Sequence, residues 1–253
     1  MPSMMVVMPT YNERENLPLI VAEILNLPVN GLRILVVDDG SPDGTGELAE
    51  ELAAQHAGRV LVMHRTRKQG LGPAYIAGFK HALTLDPDYI IQMDADFSHQ
   101  PKYIQEMIAQ LEQGHDLVIA SRFARGGGVD ARWGVYRKLL SWFANRVYVP
   151  LLLGMPVTDA TAGYRLWRRQ TLIGLDLDRI RSNGYVFQVE LAYVACRLGF
   201  RIAEIPIYFP DRERGQSKMD FRITLEAALR VWQLLFRHRG LKPEMRRTET
   251  YTV

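Results

Sequence analysis

Along the first half of the chain, short apolar runs alternate with stretches whose apolar residues recur at helical spacing. Met4 to Met8 is an unbroken apolar run closed by Pro9, the pattern of a strand covered on both faces. Leu17, Ile20, Val21, Ile24 and Leu25 then follow helical spacing, with Asn12 placed to cap that helix. Arg33 to Asp38, Val60 to His64, Tyr89 to Met93 and Leu117 to Ser121 read as further strands. Between them, Asp43 to His56, Leu71 to Leu83 and Pro101 to Glu112 read as helices. Strand alternating with helix at this pace predicts an α/β fold with a mostly parallel, Rossmann-like sheet and helices on both faces.

The second half is less regular. Gly126 to Gly128 reads as a mobile loop, Trp133 to Leu153 as a long helix rich in aromatic and basic residues, and Arg201 to Phe209 as a strand. Asp211 to Lys218 is a polar loop and Ile223 to His238 a last amphipathic helix. The expectation is one domain over residues 1–243, with an open-sheet half (1–123), an elaborated half (124–243) and a loose tail (244–253).

Composition narrows the class. The 253 residues are 47% hydrophobic and 23% charged, which excludes a disordered or fibrous chain. The single cysteine, Cys196, makes neither an intramolecular disulfide nor a cysteine-based zinc site, in keeping with a reducing, cytoplasmic setting. A net charge of +3 is too small to indicate a nucleic-acid partner. The start of the chain lacks the cationic region of a secretory leader, and no apolar run reaches the ~18 residues that mark a spanning helix.

In open α/β sheets ligands bind beyond the carboxyl ends of the strands. Four polar clusters stand there: Pro9 to Glu13, Asp38 to Gly44, Asp94-Ala95-Asp96, and Ser121-Arg122. Each alone reads as turn chemistry; all four on one rim indicate a site. Two carboxylates two residues apart after an apolar strand call for a cation, and oxygen ligands suit Mg²⁺ or Mn²⁺.

These segments carry a resemblance. PTYNERENL, VVDDGSPDGT, GLGPAYIAGFKHAL, MDADFSHQPK, ASRF and DRERGQSK resemble the family 2 glycosyltransferases, in particular the dolichol-phosphate and polyprenol-phosphate mannose synthases, and the match runs from about residue 5 to about residue 235. The resemblance implies a GT-A fold and transfer of mannose from GDP-mannose to a dolichyl or polyprenyl phosphate, with Mg²⁺ or Mn²⁺ as cofactor. It implies nucleotide contacts at Pro9, Tyr11, Glu13, Val37 and Asp39. Asp94, Ala95 and Asp96 would hold the diphosphate and metal, with Asp94 and Asp96 as ligands. Arg122, Arg212 and Lys218 fall where the family has basic residues facing the phosphates or sugar. Some relatives have Gln two positions after Asp96, where this chain has Ser98.

A lipid phosphate is largely dianionic at neutral pH and needs no strong base, so direct attack would invert the anomeric carbon. Asp159 is the candidate carboxylate for orienting that acceptor. Between Arg122 and Arg146 six basic residues face one acid, Asp130, with aromatics interleaved, a pattern suited to an anionic membrane surface. The expectation is a catalytic subunit peripherally bound to the cytoplasmic face of a membrane, alone or through a small membrane partner. The rival within the class is a UDP-glucose-dependent polyprenyl-phosphate glucosyltransferase; the rival outside it is a non-catalytic sugar-nucleotide-binding module.

Overall fold

The computed structural model describes residues 2–210 and 221–251. The first half runs β1 Met4–Thr10, α1 Leu17–Leu25, β2 Leu32–Asp38, α2 Thr45–Gln55, β3 Val60–His64, α3 Leu71–Thr84, β4 Tyr89–Gln92, α4 Ile104–Glu112 and β5 Leu117–Ser121. The second half adds β6 Gly128–Val129, α5 Val135–Phe143, a π-helical turn Ala144–Tyr148, and α6 Val149–Leu153. It continues with β7 Arg165–Arg168, α7 Arg169–Leu175, α8 Gly184–Arg197, β8 Ile202–Pro206, β9 Tyr208–Phe209 and α9 Phe221–His238.

Seven strands form one sheet in the order β3-β2-β1-β4-β7-β5-β8, and β6 pairs with β9 apart from it. All pairings in the large sheet are parallel except those of β7, which runs antiparallel between β4 and β5. The continuous apolar runs follow from helices covering both faces. Met5 and Val7 of β1 and Leu35 and Val37 of β2 point into a core shared with α3 and α8. Met4, Val6 and Met8, with Ile34 and Val36, point into the opposite core with α1, α2 and α4.

Several expectations need correction. Asn12 does not cap α1: it sits at φ 60°, and its N–H donates to Ser41 Oγ at 3.1 Å. The helix begins only after Asn16, whose side chain binds Glu13 Oε2 at 2.8 Å. Gly128 is not simply in a mobile loop, because β6 is fixed beside β9. The strand read over Arg201 to Phe209 breaks into β8 and β9. The segment read as a loose tail is anchored. Arg246 Nε donates to the Leu198 carbonyl at 2.8 Å, and the Leu177 N–H donates to the hydroxyl of buried Tyr251 at 2.5 Å.

α3 lies against β1 and β2 through Gly78, where a Cβ would stand 2.6 Å from Val7 Cγ1 and 2.8 Å from Val37 Cγ2. Only a residue without a side chain allows that approach. Gly78→Ala is therefore expected to cost about 1–3 kcal/mol through overpacking. Thermal or denaturant unfolding measures it, and an unchanged midpoint would contradict the packing described.

Candidate active site

The register of the parallel strands brings the polar clusters to one rim: Thr10 of β1 lies opposite Asp38 of β2. A cavity of about 220 Å³ opens there, lined by Pro9, Tyr11, Glu13, Asp39, Asp94, Ala95 and Asp96. Lys68 joins them, its Nζ 3.5 Å above the Tyr11 ring. Asp39 fastens the loop that follows β3. It accepts Arg65 Nη1 at 2.5 Å and the N–H groups of Gln69 and Gly70 at 3.1 and 3.2 Å. Its neighbours in the same cluster serve turns: Asp38 accepts from Ser41, and Asp43 accepts from Thr45 and Arg14. Val37 does not line this cavity; its side chain lies beneath the rim against Gly78.

The Asp94–Asp96 turn is held from several sides. Tyr75 donates its hydroxyl to Asp94 Oδ1 at 2.6 Å. Burial and then the Asp94 charge push the Tyr75 pKa well up, so the phenol remains a donor. The Asp94 N–H donates to His99 Nδ1 at 2.9 Å, which places the His99 proton on Nε2. His99 is buried and stacked on Tyr164. Ser98 donates through both its backbone N–H and its hydroxyl to Asp96 Oδ1. Ser98, the position two after Asp96, thus orients that carboxylate. Phe97 between them takes a left-handed φ of 61°, a conformation a bulky residue adopts only under constraint.

Among the described residues no group of three or more His, Cys, Asp or Glu side chains is disposed to hold a metal. Two carboxylates beside an open cavity still fit a hard divalent cation, because such ions keep waters and share substrate phosphate oxygens.

A second cavity of about 180 Å³ adjoins the first, and Asp94 and Leu71 line both. Its wall contains Arg122, Thr161, Tyr185, Gln188, Ile207 and Phe209, with Ser98 and His99 beside Asp94, so that the guanidinium stands among both polar and apolar groups. Arg122 Nε and Nη2 donate to Asp159 Oδ2 and Oδ1 at 2.8 and 2.6 Å, and the Arg122 N–H also reaches Oδ2, at 2.9 Å. Burial draws the guanidinium pKa down, but the Asp159 charge and hydrogen bonds, with Tyr185, raise it overall. Asp159 is 0% exposed and does not line the cavity. Asp159, read from the sequence as the candidate for orienting the acceptor, has its oxygens committed to Arg122 and Thr161, both of which line the cavity.

Behind this cavity Arg165 of β7, 0% exposed, donates to the carbonyls of Ala160, Ala162 and Gln188. Burial pushes its pKa down to about 9, still cationic at neutral pH. Gln92 links Trp167 to Gln188, with bonds of 3.2 and 2.7 Å.

α5 contributes no buried residue and exposes Val135, Tyr136, Leu139, Trp142 and Phe143. α9 buries Val231 and Leu234 and exposes Leu229, Trp232 and Phe236. The basic segment is less uniform than its sequence implies. Arg122 turns inward, Arg132 pairs with Asp130, and Trp133 is buried with Arg137 stacked on it. Among the described residues no helix is long and apolar enough to cross a membrane.

Arg212 and Lys218 lie outside the described residues. Lys68 was not singled out by sequence reasoning. Tyr75 falls in the family-like segment GLGPAYIAGFKHAL, and Tyr185 and Gln188 fall in GYVFQ (184–188), which also resembles the dolichol-phosphate branch, with no role assigned to any of the three. Tyr75 reads as one more apolar position of α3, but Gln92, polar within an otherwise apolar strand, is a signal of a buried network.

Known proteins give this geometry a context. The Glycosyl transferase family 2 description matches residues 5–174. A polyprenol monophosphomannose synthase from Mycolicibacterium smegmatis is 48% identical over 227 residues, covering 90% of this chain and 84% of that protein. An undecaprenyl-phosphate mannosyltransferase from Micrococcus luteus is 46% identical over 241 residues, covering 94% and 97%. Among solved structures, mannosyl-3-phosphoglycerate synthase from Rubrobacter xylanophilus aligns with a TM-score of 0.64 at 21% identity, over 94% of this chain and 75% of that one. Glucosyl-3-phosphoglycerate synthase from Mycobacterium tuberculosis, in complex with Mn²⁺, uridine diphosphate and phosphoglyceric acid, aligns at 0.63 and 21%, over 95% and 79%. The likeness to these structures shows a GT-A-like fold. With the family description matching two thirds of its length, this chain belongs to the family 2 glycosyltransferases, enzymes that transfer sugars.

Proposed function

We propose that this enzyme transfers mannose from GDP-mannose to the phosphate of a polyprenyl or dolichyl lipid, with inversion at the anomeric carbon. The observation that carries the reading is the junction of two cavities at Asp94, one rich in carboxylates and the other holding a fixed cation among mixed polar and apolar side chains. The relatives' names favour mannose and a polyprenyl phosphate over glucose.

In this reading the nucleotide occupies the cavity of Pro9, Tyr11, Glu13 and Asp39, with its diphosphate directed toward Asp94, Ala95 and Asp96. A Mg²⁺ or Mn²⁺ ion held by Asp94 and Asp96 would offset the charge that develops on the departing diphosphate. Tyr75 and Ser98 hold those two carboxylates in place beforehand, so little reorganisation accompanies the reaction. Arg122 presents its guanidinium to the phosphates from the neighbouring cavity, through which the lipid phosphate approaches. Arg212 and Lys218 are proposed to add positive charge over the diphosphate. The acceptor, with a second pKa near ~6, attacks as a dianion without a general base.

The exposed apolar residues of α5 and α9, with flanking Lys138, Arg146, Arg237 and Arg239, suit the surface of an anionic membrane. Such seating would bring a lipid acceptor to the enzyme. It supports a peripheral enzyme that works at a cytoplasmic membrane face.

Purified protein supplied with labelled GDP-mannose, GDP-glucose and UDP-glucose, and a short polyprenyl phosphate, tests the donor. Label is expected to enter the lipid from GDP-mannose. Transfer of glucose from UDP-glucose without mannose transfer would overturn the assignment. Chelation of divalent ions should abolish turnover, with recovery on adding Mg²⁺ or Mn²⁺. Asp96→Ala is expected to lower kcat by about a thousandfold or more with an unchanged melting profile. Full activity in either test would remove the carboxylate–cation role.

A further inference from the structure

We propose that Asn145 is a positioning residue for the transfer: acting through Thr161, it fixes the Arg122 guanidinium where the two cavities meet. This rests on the mannosyl-transfer reading above and assigns a task to a residue outside the cavities.

α5 contributes nothing to the core, yet the π-helical turn that continues it carries one inward side chain, Asn145, which is 1% exposed. π-Turns interrupt the regular helical ladder and are retained most often where a side chain must be re-aimed for function. Here the amide is committed on both sides. Asn145 Oδ1 accepts the Thr161 N–H at 3.1 Å, while Nδ2 donates to the Ser141 carbonyl and to Thr161 Oγ1, each at 3.0 Å. The same Thr161 oxygen accepts Arg122 Nη2 at 2.7 Å and directs its own hydrogen to Asp159 Oδ1 at 3.4 Å.

The Thr161 hydroxyl is thereby locked: it receives two donors and has one proton to give. With Nε and Nη2 of Arg122 held by Asp159 and Thr161, Nη1 makes no hydrogen bond to the described residues. The guanidinium plane, and so the direction of Nη1, is set by Asp159 together with a chain running from the surface helix inward through Thr161. Removing the Asn145 amide takes one of the two donors from the Thr161 hydroxyl and leaves the Thr161 N–H without its acceptor. Arg122 then keeps its charge and its bonds to Asp159, while the Thr161 hydroxyl that receives Nη2 loses the support that fixes it. Buried polar networks of this kind act as units.

The test compares Asn145→Ala, Thr161→Val, Thr161→Ser and the Asn145→Ala/Thr161→Val double variant in the mannosyl-transfer assay. Asn145→Ala and Thr161→Val are each expected to lower kcat about tenfold, with KM for GDP-mannose within about twofold of the parent. Thr161→Ser, which keeps the hydroxyl, should stay near the parent. The double variant should lose no more than either single one, because both break the same chain. The Arg122 Nε–H resonance, which reports the guanidinium whatever the sugar donor, should broaden in both single variants. An unchanged kcat and resonance in folded Asn145→Ala, or losses that multiply in the double variant, would overturn the proposal. Should Asn145→Ala not fold, Thr161→Val set against Thr161→Ser decides: equal kcat and equal Arg122 resonance in the two overturns it. Absence of mannosyl transfer in the parent protein would sink the functional reading instead, and the resonance would still judge the link from Asn145 to Arg122.

Discussion

A cation buried at the wall of a cavity requires a matching anion, and the Arg122–Asp159 pair meets that requirement at the centre of this molecule. Arg122 follows β5, whereas Asp159 lies in the segment that leads into β7, 37 residues further along. Three hydrogen bonds between them tie the sheet's rim to the elaborated half. Removing either partner would leave a charge without compensation, a far larger loss than the pair's net contribution to stability. Asp159 meets the cavity wall through two residues that line it, the Arg122 guanidinium it holds and the Thr161 hydroxyl that donates to it.

The strands of the first half were legible because helices cover both faces of the sheet. Val60 to His64 and Leu117 to Ser121 come out with the bounds read from the pattern. The same logic fails for β7, where Arg165 and Arg168 bracket Leu166 and Trp167 in a pattern that looks half-solvated. Arg165 is buried because three backbone carbonyls and the nearby Asp159 receive it, partners that no local pattern reveals. α8 escaped for the opposite reason. Val186 through Ala195 are buried on every side, so the helix has no polar face to mark its period.

The candidate site was legible as a rim and less so as a set of contacts. Turn chemistry and ligand chemistry use the same residues, and adjacent Asp38 and Asp39 divided between them: one binds its own turn, the other lines the cavity. Asp159 looked like a group for the acceptor because its sequence carries no sign of its partner. Tyr75 and Gln188 lie in segments that carry the resemblance, but in helices where apolar residues dominate, nothing marks their polar contacts. The basic segment after β5 likewise mixed cations turned inward with cations left at the surface. Only the folded chain separates Arg122 from its neighbours.

What unites these observations is a single arrangement: the paired carboxylates Asp94 and Asp96 in one cavity and a fixed guanidinium in the next, with the proposed reading setting the departing diphosphate between them. A crystal structure with GDP-mannose and Mn²⁺ bound examines that arrangement directly. The account predicts the metal beside Asp94 and Asp96, the diphosphate extending toward Arg122, and the base between Tyr11 and Asp39. Nucleotide and metal density away from this rim would contradict it.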